Sequence, residues 1–300
     1  MYLLQTVTAV YLRLLGHEIS NGGFVLDVNE TPDPEEFEDA YMRYANARVC
    51  PPRPAEKTYR VRGTQEPFYT LNVIDGIMSV SAVQKVAKQY QASITEYLNA
   101  VLLYSLLQKQ EHDFHLRLRP VRIAMPVNLR RFFPSKTLRN FITMVYPSID
   151  PRLGDYTFEE IVTQVHHYMR YYINSKFLRG DITTNASTQR NPLIRIVPLF
   201  LKDFVVRQFY QRVQDKNSSA GLTNMGAIRV PDDMKPYLER FDIYMGIPYS
   251  QRTNCAIVSF EDTLTVNFAS CIIEADVERR FFQKLVEDGI PVTIESNREL

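Results

Sequence analysis

The stretch PVNLRRFFPSKTLRNF (residues 126–141) decides the fold, and it lies in a basic segment that spans residues 114–149. Apolar residues on either side predict one strand from about Val121 to Leu129 and another from about Phe141 to Ile149. The segment contains no acidic residue and seven basic ones: Arg117, Arg119, Arg122, Arg130, Arg131, Lys136 and Arg139. These residues form either a solvated face with structural ion pairs or a site for anionic groups such as the phosphates of a cofactor, which guanidinium groups bind bidentately.

The composition of the whole chain limits the kind of protein. With 300 residues, of which 45% are apolar, the chain can form one large domain or two ordinary ones. A net charge of +1 does not favour nucleic-acid binding, which usually requires a basic surplus. Three scattered cysteines (Cys50, Cys255 and Cys271) favour buried thiols in a reducing compartment. No apolar run is long enough to span a membrane, so we expect a cytoplasmic globular protein.

Local signals predict the order of helices and strands. Capping boxes predict helices that begin at Ser81, at Ser93 and at Thr157, the last running to about Phe177, and Asp33 before Pro34 marks another helix start. We also predict a helix over 192–214, a closing helix over 274–287, and strands over 68–73, 222–229, 242–248, 254–260 and 264–272. Because helices alternate with strands and a hairpin, the expected fold class is α/β with mixed sheets covered by helices.

The familiar catalytic motifs are missing from the sequence. It contains no GxSxG, HExxH, P-loop or GxGxxG pattern. His166 and His167 are adjacent in a predicted helix, so their side chains point about 100° apart and cannot bind one metal ion together. We interpret both as packing or surface residues and expect no metal site.

Two segments resemble the chloramphenicol-acetyltransferase-like superfamily, most closely bacterial alcohol acetyltransferases and condensation-type proteins. The stretch at 126–141 is similar to the superfamily's "vNLR…GN" segment, and GLTNMGAIRVPDDM (residues 221–234) is similar to its later "SNLG.i..P" strand. The order of elements agrees with that of the superfamily from residue 1 to about residue 290. The resemblance implies a two-subdomain fold, with an incomplete N-terminal subdomain at 1–50, a Pro-rich linker at 51–66 and the C-terminal subdomain at 67–300.

The first sixteen residues, MYLLQTVTAVYLRLLG, predict an amphipathic helix that ends at Gly16. In the superfamily the corresponding helix directly follows the motif HHxxxDG. The resemblance therefore implies that the general-base histidine lies upstream of Met1 and that no residue of this chain is that catalytic base. We expect the apolar face of the helix to be incompletely covered, and residues 1–15 to favour self-association.

The resemblance also assigns five residues to the cleft. Arg130 matches the arginine that pairs with the aspartate of HHxxxDG. Without that aspartate we expect Arg130 to be solvated, to take another partner or to await a second chain, and its replacement by alanine to cost little stability. Asn128 and Asn140 match polar positions near the substrate tunnel, and Thr223 and Asn224 match a pair beside the active site, where a hydroxyl could stabilise an oxyanion. The superfamily's "DFGWG" motif is absent, and the chain has no Trp.

The implied reaction is transfer of an acyl group from coenzyme A, or from a carrier-bound thioester, to an alcohol or amine. The partners would be a small-molecule donor and acceptor, with the thioester as co-substrate and no tightly bound cofactor. Because the histidine motif is absent, we predict little or no activity for residues 1–300. The alternatives are a non-catalytic binding or scaffolding module of the same fold, and a binder of anionic ligands or nucleic acid that uses residues 114–149.

Overall fold

The computed structural model describes residues 2–46, 56–67, 70–113, 117–190, 203, 217–248 and 251–298. Within these residues eight strands form one sheet: β1 Asn72–Ser79, β2 Val121–Asn128, β3 Ile142–Val145, β4 Ser148–Ile149, β5 Ala220–Ala227, β6 Thr253–Phe260, β7 Thr263–Ser270 and β8 Thr293–Ser296. The strand order is β3-β2-β5-β6-β7-β1-β8, and β4 pairs with β2 outside this path. The described helices are α1 Tyr2–Leu14, α2 Ala40–Tyr44, α3 Val80–Gln89, α4 Ile94–His112, α5 Phe158–Tyr172, α6 Ser175–Arg190 and α7 Asp276–Glu287.

The sheet is mixed, which confirms the predicted α/β class. Strand β5 runs parallel to both β2 and β6, whereas the other pairs are antiparallel. Strands β6 and β7 form the predicted hairpin, with Phe260 opposite Thr263. The two residues between them make the turn, and Glu261 adopts the left-handed conformation (φ 50°). Because β6 pairs with β5 and β7 pairs with β1, the hairpin forms the middle of the sheet.

Two of the three predicted capping boxes are present. In α4 the Ser93 hydroxyl accepts the Glu96 N–H and the Glu96 carboxylate accepts the Ser93 N–H at 2.7 Å, and Thr157 forms the same arrangement in α5. The box predicted at Ser81 is wrong. Helix α3 begins two residues earlier, where Ser79 accepts the Ala82 N–H, because Asp262 in the hairpin turn accepts the Ser81 N–H at 2.9 Å.

The main core lies between the sheet and the helices α3, α4, α5 and α7. Helix α4 is buried on nearly all sides, and Leu98 and Leu102 on it are fully buried. A smaller second core lies on the opposite face of the sheet. Ile257 and Val258 are successive residues of β6, so they point to opposite faces, and they belong to the main and the second core respectively.

One face of helix α1 packs against the second core, and Ala9 and Leu12 on this face are buried. The apolar residues on the opposite face are exposed to solvent, with 76% exposure for Leu3, 57% for Val7 and 82% for Leu14. The prediction of a helix with an uncovered apolar face is therefore confirmed. No described helix is long and apolar enough to cross a membrane.

Several predicted boundaries are wrong, each for a local reason. The helix from Thr157 ends at Tyr172 because the Asn174 carboxamide accepts the N–H groups of Lys176 and Phe177 and begins α6. Residues 242–248 form no ladder, because their backbone bonds to the side chains of Asn267 and Asn254. The strand predicted over 141–149 is two short strands, β3 and β4, and the strand predicted over 68–73 begins at Asn72 instead.

Some predictions fall largely or wholly outside the described residues. These are the helix over 192–214 and the prolines at 51–54.

Asp33, which was predicted to start a helix, begins only a short 3-10 turn, Pro34–Phe37, before α2. The division into 1–50, 51–66 and 67–300 stays a prediction. Tyr59 and Val61, which fall in the predicted linker, are buried in the main core.

Candidate functional site

The candidate site begins where β2 ends. The Asn128 carboxamide oxygen accepts the Arg130 N–H at 3.1 Å and caps a short 3-10 turn, Leu129–Arg131. Leu129 is fully buried, which anchors this turn to the core. The Asn128 side chain itself is exposed. The sequence Asn-Leu-Arg therefore folds as a fixed turn at the carboxyl end of a central strand.

Arg130 holds the loop that follows this turn. Its Nε and Nη2 atoms donate to the Thr137 carbonyl at 3.1 and 2.8 Å, and Nη2 also donates to the Arg139 carbonyl. A guanidinium group has five N–H donors, so this arrangement leaves the two on Nη1 without a hydrogen bond in the described part of the chain. Of the three expectations for Arg130, the structure shows another partner, which is backbone rather than carboxylate.

The same loop is tied to the segment 33–44. The Thr137 hydroxyl donates to the Glu38 carbonyl at 2.6 Å, and Lys136 lies 2.9 Å from an Asp33 carboxylate oxygen. The Tyr41 hydroxyl donates to the Ile142 carbonyl, and burial raises the pKa of this hydroxyl, which keeps it protonated as a donor at neutral pH. Arg130 and the segment 33–44 together fix the loop between β2 and β3.

Thr223 and Asn224 lie in the middle of β5, two and three residues after Gly221, which is opposite Ala124 of β2. The Asn224 carboxamide donates to the Thr95 hydroxyl in the first turn of α4 at 2.8 Å, and its oxygen accepts the Gly226 N–H. Strand β5 bulges between Asn224 and Ala227, and Gly226 takes the left-handed conformation (φ +74°) that a bulge requires. Asn224 thus has a positioning role, whereas Thr223 is half-buried.

The five predicted residues lie at one edge of the sheet. Strands β2 and β5 are parallel, so their carboxyl ends meet at the same edge. Strand β3 is antiparallel to β2, with Ile142 opposite Asn128, and the exposed Asn140 precedes it by two residues. Asn128, Arg130 and Asn140 therefore lie at the end of β2 and in the loop between β2 and β3, whereas Thr223 and Asn224 lie on the neighbouring strand, β5.

His166 lies near this edge and was assigned only a packing role. Its Nδ1 atom is 3.4 Å from the Glu96 carboxylate, and its Nε2 atom accepts from the Arg170 guanidinium at 3.0 Å. Glu96 is the residue after Thr95, which binds Asn224. The capping box had identified Glu96, but nothing in the local sequence indicated that His166 lies against its carboxylate. Among the described residues no cluster of three or more His, Cys, Asp or Glu side chains could hold a metal ion.

The seven basic residues of 114–149 do not form one surface. Arg117 and Arg119 precede β2, whereas Arg130 follows it. Between them Arg122 is 7% exposed, and its guanidinium donates to the carbonyls of Glu56 and Asn217. Burial lowers the pKa of Arg122. The seven basic residues of this segment therefore do not form one shared anion site.

Solved structures show the same fold. The chain matches the nonribosomal peptide synthetase FmoA3 with a TM-score of 0.52 and 11% identity, over 78% of this chain and 23% of that one. It matches the epimerization domain from the third module of tyrocidine synthetase B with a TM-score of 0.47 and 10% identity, over 94% and 63%. It also matches the trichothecene 15-O-acetyltransferase from Fusarium sporotrichioides with a TM-score of 0.44 and 14% identity, over 92% and 54%.

The match to FmoA3, whose TM-score is above 0.5, supports the fold and no more than the fold. The chain has the condensation-type, chloramphenicol-acetyltransferase-like acyltransferase fold that the two motifs implied. It spans less than two thirds of each structure just named. No protein-family model matches the sequence. No curated protein matches it significantly.

Proposed function

We propose that the chain is an acyltransferase-family protein, and that the reaction moves an acyl group from coenzyme A, or from a carrier-bound thioester, to an alcohol or amine. The observation that supports this is the arrangement at the carboxyl edge of the sheet. There the capped Asn128–Arg130 turn lies beside the parallel strand that carries Thr223 and Asn224. Two of the matched structures are an acetyltransferase and a peptide synthetase by name, which agrees with acyl transfer.

The reaction requires a base that this chain does not supply. A hydroxyl or amine is a weak nucleophile at neutral pH until a base removes its proton as it attacks the thioester carbonyl. The tetrahedral oxyanion then collapses and expels the thiolate. In the superfamily that the two motifs resemble, this base is the histidine of an HHxxxDG motif, a pattern that residues 1–300 do not contain. We therefore expect residues 1–300 alone to transfer little or no acyl group.

Two side chains have defined roles in the proposal. Arg130 receives the aspartate of HHxxxDG, because its Nη1 donors are not used by the described residues while Nε and Nη2 hold the loop. Thr223 supplies a hydroxyl that stabilises the oxyanion. The thioester is a co-substrate, and the protein has no tightly bound cofactor. A cytoplasmic location is proposed because Cys255 and Cys271, the cysteines among the described residues, are free thiols, as is usual in a reducing compartment.

Thiol release tests the proposal directly. Acyl-coenzyme A is incubated with a panel of alcohols and amines, and the free thiol is measured with a chromogenic disulfide reagent. We expect background release from residues 1–300 and acceptor-dependent release from a chain extended upstream to include HHxxxDG. In the extended chain, Thr223→Val should lower kcat by about 10²-fold or more, as loss of one oxyanion donor does, whereas Thr223→Ser should retain most activity.

If the extended chain releases no thiol with any donor and acceptor, the enzyme proposal fails. The second candidate, a binding or scaffolding module, would then take its place. The exposed apolar side of α1 favours that candidate, because contiguous exposed apolar patches commonly mark interaction surfaces.

We propose that residues 1–15 mediate self-association through this apolar side. Light scattering over a hundredfold range of protein concentration should show a mass that rises with concentration. The double substitution Leu3→Glu with Leu14→Glu should abolish that rise, since it places charges on the exposed side of α1. Val28→Glu is the matched control, because Val28 is 64% exposed but lies outside α1. A constant monomer mass for the unmodified chain would contradict the proposal.

A further inference from the structure

A cavity rich in arginine lies at the end of β2 opposite the candidate site. Its volume is about 420 Å³, and its described lining residues are Tyr59, Val61, Gly63 and five arginines: Arg60, Arg62, Arg117, Arg119 and Arg252. No carboxylate is among these lining residues. Arg117 and Arg119 precede β2 and Asn128 ends it, so the length of this strand separates the cavity from the candidate site by roughly 25 Å.

The arginines converge because three chain segments meet here. Tyr59 and Val61 are buried, so the alternating residues Arg60 and Arg62 stay on the exposed side of an extended segment. The Tyr59 N–H donates to the Pro120 carbonyl at 2.9 Å, which fixes this segment beside residues 117–120. The third segment precedes β6. There the Arg252 carbonyl accepts the Cys271 N–H at 3.0 Å, which holds Arg252 in place.

The charge of this cavity is poorly compensated. The nearby carboxylate of Asp113 accepts from the Tyr59 hydroxyl at 2.7 Å and pairs with Lys109 at 3.1 Å. The Glu274 carboxylate accepts from the Thr64 N–H and hydroxyl, both at 2.7 Å. In the part of the chain that the structure describes, four of the five arginines form no salt bridge: Arg62, Arg117, Arg119 and Arg252. Like charges this close repel each other, and a bound anion would remove that repulsion.

We propose that this cavity binds a small molecule with two or more phosphate groups, of the class of inorganic pyrophosphate or a nucleoside diphosphate. One phosphate group carries about −1.5 to −2 charges at pH 7, so a single group would balance at most half of the charge on the four arginines that form no salt bridge among the described residues. Guanidinium groups bind phosphate oxygens in pairs, which favours arginine for this role. The volume lies within the range of about 300–1,000 Å³ that small-ligand pockets occupy.

The geometry favours a compact ligand over a nucleic acid. Single-stranded nucleic acids bind along basic grooves with aromatic side chains on which successive bases stack. Here the basic residues surround one cavity, and the one aromatic residue among its described lining residues, Tyr59, is 2% exposed and donates its hydroxyl to Asp113. This site is independent of the proposed acyl transfer, because it lies at the other edge of the sheet.

Isothermal titration calorimetry of residues 1–300 with inorganic pyrophosphate tests the proposal. We expect saturable binding at one site, at least tenfold weaker binding of orthophosphate, and weaker binding as salt is raised from 50 to 300 mM. The double variant Arg62→Gln with Arg117→Gln should weaken pyrophosphate binding at least tenfold. The control variant, Lys85→Gln with Lys88→Gln, removes the same charge from exposed positions of α3 and should bind as the unmodified chain does.

Thermal unfolding separates loss of the site from loss of the fold. At low salt the arginine variant should unfold at the same temperature as the unmodified chain or higher, because it relieves repulsion, and pyrophosphate should raise the melting temperature of the unmodified chain alone. The proposal is overturned if pyrophosphate does not bind saturably, if orthophosphate binds equally well, or if both double variants lose binding equally. Tighter binding of a single-stranded oligonucleotide, lost in the same arginine variant, would also overturn it.

Discussion

Replacing Gly76 by alanine is expected to lower the free energy of unfolding by about 1–3 kcal/mol, because the new methyl group would overlap a buried ring. Gly76 lies in the middle of β1, opposite Val266 of β7. A Cβ atom at this position would lie 2.1 Å from Cε1 and 2.7 Å from Cζ of Phe282 on α7. The ring cannot easily move away, since it is itself packed edge-to-face against Phe268 and Phe281.

Chemical denaturation measures this loss, and the chain offers a matched control. A Cβ atom at Gly246 would meet no heavy atom within 4 Å, so Gly246→Ala should change stability little or raise it by about 0.4–1 kcal/mol through the unfolded chain. Phe282→Leu in the Gly76→Ala background should recover part of the loss, because a smaller side chain leaves room for the methyl group. Equal effects of the two glycine substitutions would show that Phe282 does not press on β1.

The position of β1, which Phe282 contacts, could not be predicted from the local sequence. The apolar run at 68–73 stands out in the sequence, whereas the strand that forms contains Asp75 and Gly76. Asp75 is tolerated there because it accepts from the Asn267 carboxamide at 2.8 Å and from the Tyr244 hydroxyl at 2.9 Å. Burial raises the pKa of this carboxyl. These partners are more than 160 residues away along the chain, so no local pattern could place β1.

The two charged regions at the ends of β2 show the same limit. Asn128 and Arg130 could be identified because they are close in the sequence and match a motif, although the turn that they form was predicted as the end of a strand. The arginine cavity was not, since Arg60, Arg117 and Arg252 come from segments far apart along the chain and only the fold unites them. Sequence composition indicated an excess of positive charge between residues 114 and 149, but it could not show that Arg122 is buried and divides this segment.

Arg130 has backbone partners that the resemblance did not indicate. The expectation of a small stability cost for Arg130→Ala assumed that Arg130 has no partner in this chain. The structure gives it the carbonyls of Thr137 and Arg139 instead. Hydrogen bonds to a charged group contribute about 1.5–3 kcal/mol, and carbonyls left without a donor lose that stabilisation. We therefore expect Arg130→Ala to lower the free energy of unfolding of residues 1–300 by about 1.5–3 kcal/mol.

Chemical denaturation of three variants, Arg130→Ala, Arg130→Lys and Arg131→Ala, distinguishes the contribution of the guanidinium hydrogen bonds from that of the positive charge alone. Arg130→Lys keeps the charge but not the planar fork, so it should recover only part of the loss. Arg131→Ala is the matched control, because Arg131 is the exposed neighbour in the same turn and makes no side-chain hydrogen bond among the described residues. A loss below about 0.5 kcal/mol for Arg130→Ala would show that the loop does not depend on the hydrogen bonds of Arg130.

In a chain extended to include HHxxxDG, Arg130→Ala should lower the free energy of unfolding more, by about 3–5 kcal/mol, because it would also leave the motif's aspartate buried without a partner. An unchanged cost in the extended chain would separate the loop from the catalytic motif and assign Arg130 to the fold alone.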